Sequence, residues 1–118
     1  MFRILLAEDE QVMRAYLARA LERSGYEVVA VDSGTAAAPL LEAERFDLLL
    51  TDIIMPEMDG IQLAHHCNMV SPANEVIFIT GLPRDALRAE ALIPSAEIVA
   101  KPFDVKDFAI RSERPHAQ

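Results

Sequence analysis

Several short apolar runs in this sequence stop at residues that can do chemistry. The first ends in Glu8 and Asp9, the third in Thr51 and Asp52, the fourth in Thr80 and Gly81, and the fifth in Lys101 and Pro102. Three carboxylates, a hydroxyl and an ammonium are the parts that phosphoryl transfer needs. It requires an oxygen nucleophile, a metal to neutralise the transferred charge, a fixed cation, and donors for the equatorial oxygens. Asp52 can attack as a carboxylate, Lys101 can pair with one phosphoryl oxygen, and the Thr80 hydroxyl can bond another. The backbone after Asp52 can add carbonyls and amides. Clustered carboxylates repel one another unless a cation joins them. Magnesium suits such a cluster, because it takes oxygen ligands, keeps several waters and uses few carboxylates. Zinc would want Cys and His ligands that the cluster lacks.

For these residues to meet, the runs that precede them must lie side by side. The runs Phe2 to Ala7, Glu27 to Val31, Phe46 to Thr51, Glu75 to Thr80 and Glu97 to Ala100 alternate with segments of helical period. That alternation predicts five βα units around a parallel sheet, an α/β fold. Several runs are apolar at successive positions, as strands covered on both faces must be. Met13, Leu17, Ala20 and Leu21 mark the buried face of a first helix, and Gly25 its stop. Thr35 is the expected cap of a second helix, with Pro39 at the end of its first turn. Leu63, Cys67 and Val70 form the stripe of a third helix opening just after Gly60, and Pro83 opens a fourth that runs to about Leu92. Val105, Phe108 and Ala109 supply a shorter fifth stripe.

With 118 residues, the chain has the size of one domain that can bury a core without staples. A net charge of -8 disfavours nucleic acid as a direct ligand, since that binding rests on clustered Lys and Arg. Cys67 is the one cysteine and cannot pair within the chain, and no signal-like segment opens the sequence. These features point to the cytoplasm. The apolar runs are only a handful of residues, against roughly 20 needed to span a bilayer, so no membrane association is expected.

In order and spacing, Glu8-Asp9, Asp52-Ile53-Ile54-Met55-Pro56-Glu57-Met58-Asp59-Gly60, Thr80-Gly81 and Lys101-Pro102-Phe103 resemble the motifs of bacterial two-component response-regulator receivers, the CheY-like family. The resemblance covers nearly the whole chain. It implies a flavodoxin-like (βα)5 sheet of order 2-1-3-4-5, a single receiver domain over residues 1–118 and a cis Lys101-Pro102 bond, while residues 112–118 read from their own polarity as a tail. It implies that Asp52 accepts phosphate from a histidine kinase or histidine phosphotransfer protein. Glu8, Asp9, Asp52 and the Ile54 carbonyl would bind Mg2+, Lys101 would grip the phosphoryl group, and Thr80 would be the switch hydroxyl. The run from Phe78 through Phe103 looks like the CpdR-type single-domain receivers, which implies a downstream protein target in the proteolysis machinery. The sequence departs from the family at Ile98, where an aromatic residue is common, and in the polar Arg111 to Gln118 segment.

Other readings are weaker. A haloacid-dehalogenase-type phosphatase wants a second acid two residues after its nucleophile, where this chain has Ile54. A flavodoxin wants a hydroxyl- and glycine-rich loop after its first strand, where Glu8-Asp9-Glu10 would repel a phosphate. An unphosphorylated pseudo-receiver, acting as a protein-binding module, is the main rival, and the intact acids and lysine argue against it. Asp59 reads as a turn residue, His65 and His66 diverge on their helix, and Cys67 reads as a small core hydrophobe. An independent substrate is not expected: the chemistry is at most self-phosphorylation and self-dephosphorylation.

Overall fold

The computed structural model describes residues 1–101. Five strands alternate with four helices: β1 (Arg3–Ala7), α1 (Gln11–Arg23), β2 (Glu27–Val31), α2 (Gly34–Ala43), β3 (Leu48–Asp52), α3 (Gly60–Val70), β4 (Glu75–Thr80), α4 (Pro83–Leu92) and β5 (Glu97–Ala100). Each βα unit returns the chain to the same end of the sheet, so every strand pair is parallel. The strand order is β2-β1-β3-β4-β5, as the resemblance implied. The fifth-helix stripe, the Lys101-Pro102 bond and the 112–118 tail lie outside the described residues.

Side-chain alternation along the strands splits the core in two. Ile4, Leu6, Leu48, Leu50, Ile77 and Ile79 face α1, where they meet Leu17 and Leu21. Leu5, Ala7, Leu49, Val76 and Phe78 face the other way and pack with Ala37 and Leu41 of α2, Leu63 and Cys67 of α3, and Ala89 of α4. Each fully buried side chain of this size contributes roughly 1.5–3 kcal/mol of transfer free energy. The central strand β3 is buried along its whole length, which holds its last residue, Asp52, in a fixed frame.

Three local expectations need correction. Ser33, not Thr35, caps α2: its Oγ accepts the Ala36 N–H at 3.1 Å, and Thr35 instead donates to Ser33 Oγ at 3.2 Å. The helix therefore starts earlier and carries Pro39 in its interior. Pro39 is exposed, so the carbonyl left without its helical N–H donor can turn to water. On α3, Val70 is 40% exposed because it falls at the last turn, and Ile61 and Ala64 fill the buried face. Finally, β3 extends one residue further than expected, making Asp52 itself a strand residue paired with Ile79.

Candidate functional site

Strand register delivers the chemistry to one edge. Ala7 pairs with Thr51, Asp52 with Ile79, and Thr80 with Ala100. The residues that end or follow β1, β3, β4 and β5 thus emerge together at the carboxyl end of the sheet, where open α/β sheets bind ligands. Glu8, Asp9, Asp52, Ile54, Thr80 and Lys101 all line one cleft of about 350 Å³.

Within it, one carboxylate oxygen from each of Glu8, Asp9 and Asp52 lies within 4.8 Å of the others. Glu8 has no exposed surface, Asp52 is 8% exposed, and Asp9 is open to solvent. Lys101 places Nζ 3.3 Å from Asp52 Oδ2 and 3.8 Å from Glu8 Oε1. Its backbone N–H donates to the Thr80 carbonyl at 2.8 Å, so the amine is anchored to the strand that carries the hydroxyl. Backbone amides orient both buried acids: Glu10 N–H donates to Glu8 Oε2 and Ile53 N–H to Asp52 Oδ1, each at 3.0 Å. Arg14 Nη1 of α1 donates to the Glu8 carbonyl at 3.0 Å.

Burial dominates the electrostatics. It pushes the Glu8 carboxyl up to about 7; the Glu10 amide opposes the rise, Asp52 adds to it, Lys101 opposes it and Asp9 adds to it. Asp52 is also raised, first by burial, with Lys101 acting against it. Glu8 Oε1 is buried and has no hydrogen-bond partner among the described residues. A buried acceptor left unmet is costly, and a cation beside Asp9 and Asp52 would satisfy it. All these donors are hard oxygens, a set that fits Mg2+.

Thr80 is 4% exposed, and its hydroxyl is already engaged. Oγ1 accepts the Leu82 N–H at 3.1 Å and donates to the Leu82 carbonyl at 3.3 Å. Ile54 lies on the cleft wall and is 53% exposed.

Residues read as bland from sequence lie elsewhere. Asp59 caps α3 through a capping box with Gln62, and its Oδ2 meets Arg88 at 3.1 Å. His65 is exposed, and His66 Nε2 lies 3.0 Å from Glu42. Cys67 is buried, which raises its thiol, and Asn74 Nδ2 approaches its Sγ at 3.8 Å.

Sequence reasoning missed two contributors. A Cβ on Gly60 would collide with the Asp52 carbonyl oxygen, so only glycine lets α3 begin against the backbone of Asp52. The Gly60 N–H also donates to the Ile53 carbonyl at 2.8 Å. Its place in an Asp-Gly pair was the available signal. The other is Asp85, in the first turn of α4, which lines the same cleft and is 7% exposed. Its position three residues after the α4 cap marks it, but nothing in the sequence tells whether such an acid points in or out.

Comparison with known proteins agrees with this fold. The family model described as "Response regulator receiver domain" matches residues 4–112. The response regulator receiver protein CpdR of Brucella abortus is 45% identical over 115 residues, covering 97% of this chain and 96% of that protein. The sensor kinase CckA of the same organism is 36% identical over 110 residues, 90% of this chain but 12% of that much longer protein. Among solved structures, the response regulator TrrA of Thermotoga maritima in complex with Mg(2+)-BeF superposes with a TM-score of 0.79 at 28% identity, covering 88% of this chain and 90% of that one.

Proposed function

The chain belongs to the response-regulator receiver family, and from that premise we propose that it is a phosphorylation switch whose acceptor is Asp52. The observation that carries the assignment is the meeting of Asp52 with Lys101 at 3.3 Å and with Glu8 and Asp9 inside 4.8 Å, all lining one cleft.

In the proposed reaction, a carboxylate oxygen of Asp52 forms a bond to the phosphorus of a phosphohistidine on a histidine kinase or phosphotransfer protein. The phosphorus–nitrogen bond breaks, and its electron pair stays with the imidazole. Lys101 pairs with a phosphoryl oxygen, and its charge beside Asp52 works against the rise that burial imposes on that carboxyl. Thr80 donates to another oxygen. Glu8, Asp9, Asp52 and the Ile54 carbonyl would hold Mg2+, which when bound supplies charge neutralisation for the transferred group. The mixed partial charges and fixed donors act by positioning and electrostatics, the main sources of catalysis in phosphoryl transfer.

The modified chain then binds a downstream protein. Its 45% identity to CpdR supports, as the class of target, the proteolysis machinery suggested by the sequence resemblance. Residues 1–118 act as one receiver unit, with 112–118 as a polar tail. No helix among the described residues is long and apolar enough to cross a membrane. The proposed site of action is the cytoplasm, as the sequence features suggested.

Incubation with a small phosphodonor, or with beryllofluoride, should modify the protein only when Mg2+ is present. Intact-mass spectra should show an adduct on the wild type and none on Asp52→Ala. The same adduct on Asp52→Ala refutes the acceptor assignment, and no adduct on either protein would favour the unphosphorylated pseudo-receiver.

A further inference from the structure

Thr80 has one hydroxyl proton and two bonds to Leu82. To donate to a phosphoryl oxygen its proton must leave the Leu82 carbonyl, and a side-chain rotation that swings Oγ1 toward that oxygen also takes it from the Leu82 N–H. The Leu82 N–H sits at the N-cap of α4, where no side-chain cap is present. Deprived of Thr80, that amide would be an unmet donor at a helix start, a costly state. The rotation is therefore opposed unless another acceptor takes over.

The chain already shows how such a helix start is satisfied. At α3 the cap residue is Asp59, and the side chain three positions on, Gln62, reaches back to the Asp59 N–H at 3.0 Å. Counting three positions from Leu82 gives Asp85. This carboxyl is 7% exposed, lines the cleft, and holds a buried Oδ2 with no hydrogen-bond partner among the described residues. An acid in the first turn of a helix often serves only the helix dipole. That role needs no burial, and it leaves the buried, unpartnered Oδ2 unexplained.

We propose that Asp85 is a positioning residue for phosphorylation: it accepts the Leu82 N–H when Thr80 turns its hydroxyl toward the phosphoryl group. In the resting protein Thr80 fills the reciprocal half of a capping box that the α3 precedent assigns to the side chain at this position. On phosphorylation the two acceptors exchange, and α4 keeps a satisfied N-terminus while Thr80 is released for its phosphoryl bond. The proposal rests on the reading of Asp52 as acceptor and Thr80 as its hydroxyl donor.

The test measures Mg2+-beryllofluoride affinity and hydrogen–deuterium exchange at the Leu82 amide in the full chain. In the wild type the amide should stay protected in both free and bound states; loss of protection on binding overturns the proposal without any variant. Asp85→Ala should bind beryllofluoride about fivefold more weakly, the effect of one hydrogen bond, and its bound form should exchange the Leu82 amide faster. Asp85→Glu should restore both. In a Thr80→Ala background the amide lacks the hydroxyl in either state, so adding Asp85→Ala should leave beryllofluoride affinity unchanged. A loss of equal size in both backgrounds means a merely structural role and overturns the proposal. Unchanged affinity in Asp85→Ala overturns this inference alone, whereas a wild type that takes no beryllofluoride at Asp52 overturns both readings.

Discussion

Acidification should weaken Mg2+ binding by an amount that Glu8 sets. Burial holds its carboxyl at about 7, against an ordinary 4.5, so near neutral pH the metal must displace a proton from a buried ligand. For one such group the apparent dissociation constant scales as one plus the ratio of protonated to ionised carboxyl. Between pH 8 and pH 6 this factor grows about tenfold, or about 1.4 kcal/mol. Asp52, also raised by burial, acts in the same direction. The sign for stability follows from the same shift. Between 4.5 and 7 the folded protein binds a proton that the unfolded chain does not, so the metal-free protein loses stability as pH rises through this window, on the order of 3 kcal/mol in all. Isothermal titration calorimetry at pH 6 and pH 8, in buffers of different ionisation enthalpy, reads both the affinity ratio and the proton released. Glu8→Gln should bind more weakly at each pH and show a much flatter ratio. Equal wild-type affinity at the two pH values, or an undiminished slope in Glu8→Gln, would show that Glu8 is not the proton-bearing ligand.

Three further outcomes are expected. Gly60→Ala should lower stability by about 1–3 kcal/mol in urea denaturation, the range for overpacking, and slow labelling of Asp52, because the added methyl presses on the Asp52 carbonyl; a neutral result on both counts would contradict the close approach. The acyl phosphate should persist beyond seconds without a phosphatase, since Ile54 and Leu82 on the cleft wall carry no polar side chain to orient water, and its decay can be timed by phosphate release. Ser33→Ala should cost about 1 kcal/mol through loss of the α2 cap, while Thr35→Ala should cost less, a ranking that denaturant melts of the two variants can reverse or uphold.

Much of this arrangement was legible before any coordinates, and the reason is physical. Strands buried on both faces must be apolar at consecutive positions, so a polar residue that ends such a run, as Asp52 and Thr80 do, stands out. Residues that end neighbouring parallel strands are forced together by register alone, which is why Glu8, Asp52 and Lys101 could be grouped from spacing. What stayed hidden depended on orientation or close contact. Asp85 lies on a helix turn where the direction of one short side chain decides between solvent and cleft. Gly60 matters through a backbone approach across seven residues of loop, including Glu57 in the left-handed region at φ 68°, and no periodicity encodes it. The α2 cap was misjudged because Ser33 and Thr35 are both capping residues, and the helix takes the one that lets Ala37 and Leu41 face the core.

The resting site is electrostatically incomplete, and that shapes how it can work. With its groups ionised, Glu8, Asp9 and Asp52 carry three negative charges against the single positive charge of Lys101, within a cleft where two of the acids are almost wholly buried. An incoming phosphoryl group, itself anionic, would meet net repulsion there. Partial protonation of Glu8 relieves some of it, as the rise of its carboxyl to about 7 reflects, but a proton also occupies the oxygen that a metal needs. Glu8, Asp9 and Asp52 would hold a divalent cation in place of that proton, its two positive charges would balance the remaining two negative ones, and Lys101 would then be free to engage the phosphoryl oxygens. Metal occupancy should therefore precede and license phosphorylation, with labelling rates that saturate in Mg2+ at the same concentration that saturates binding in the absence of any phosphodonor.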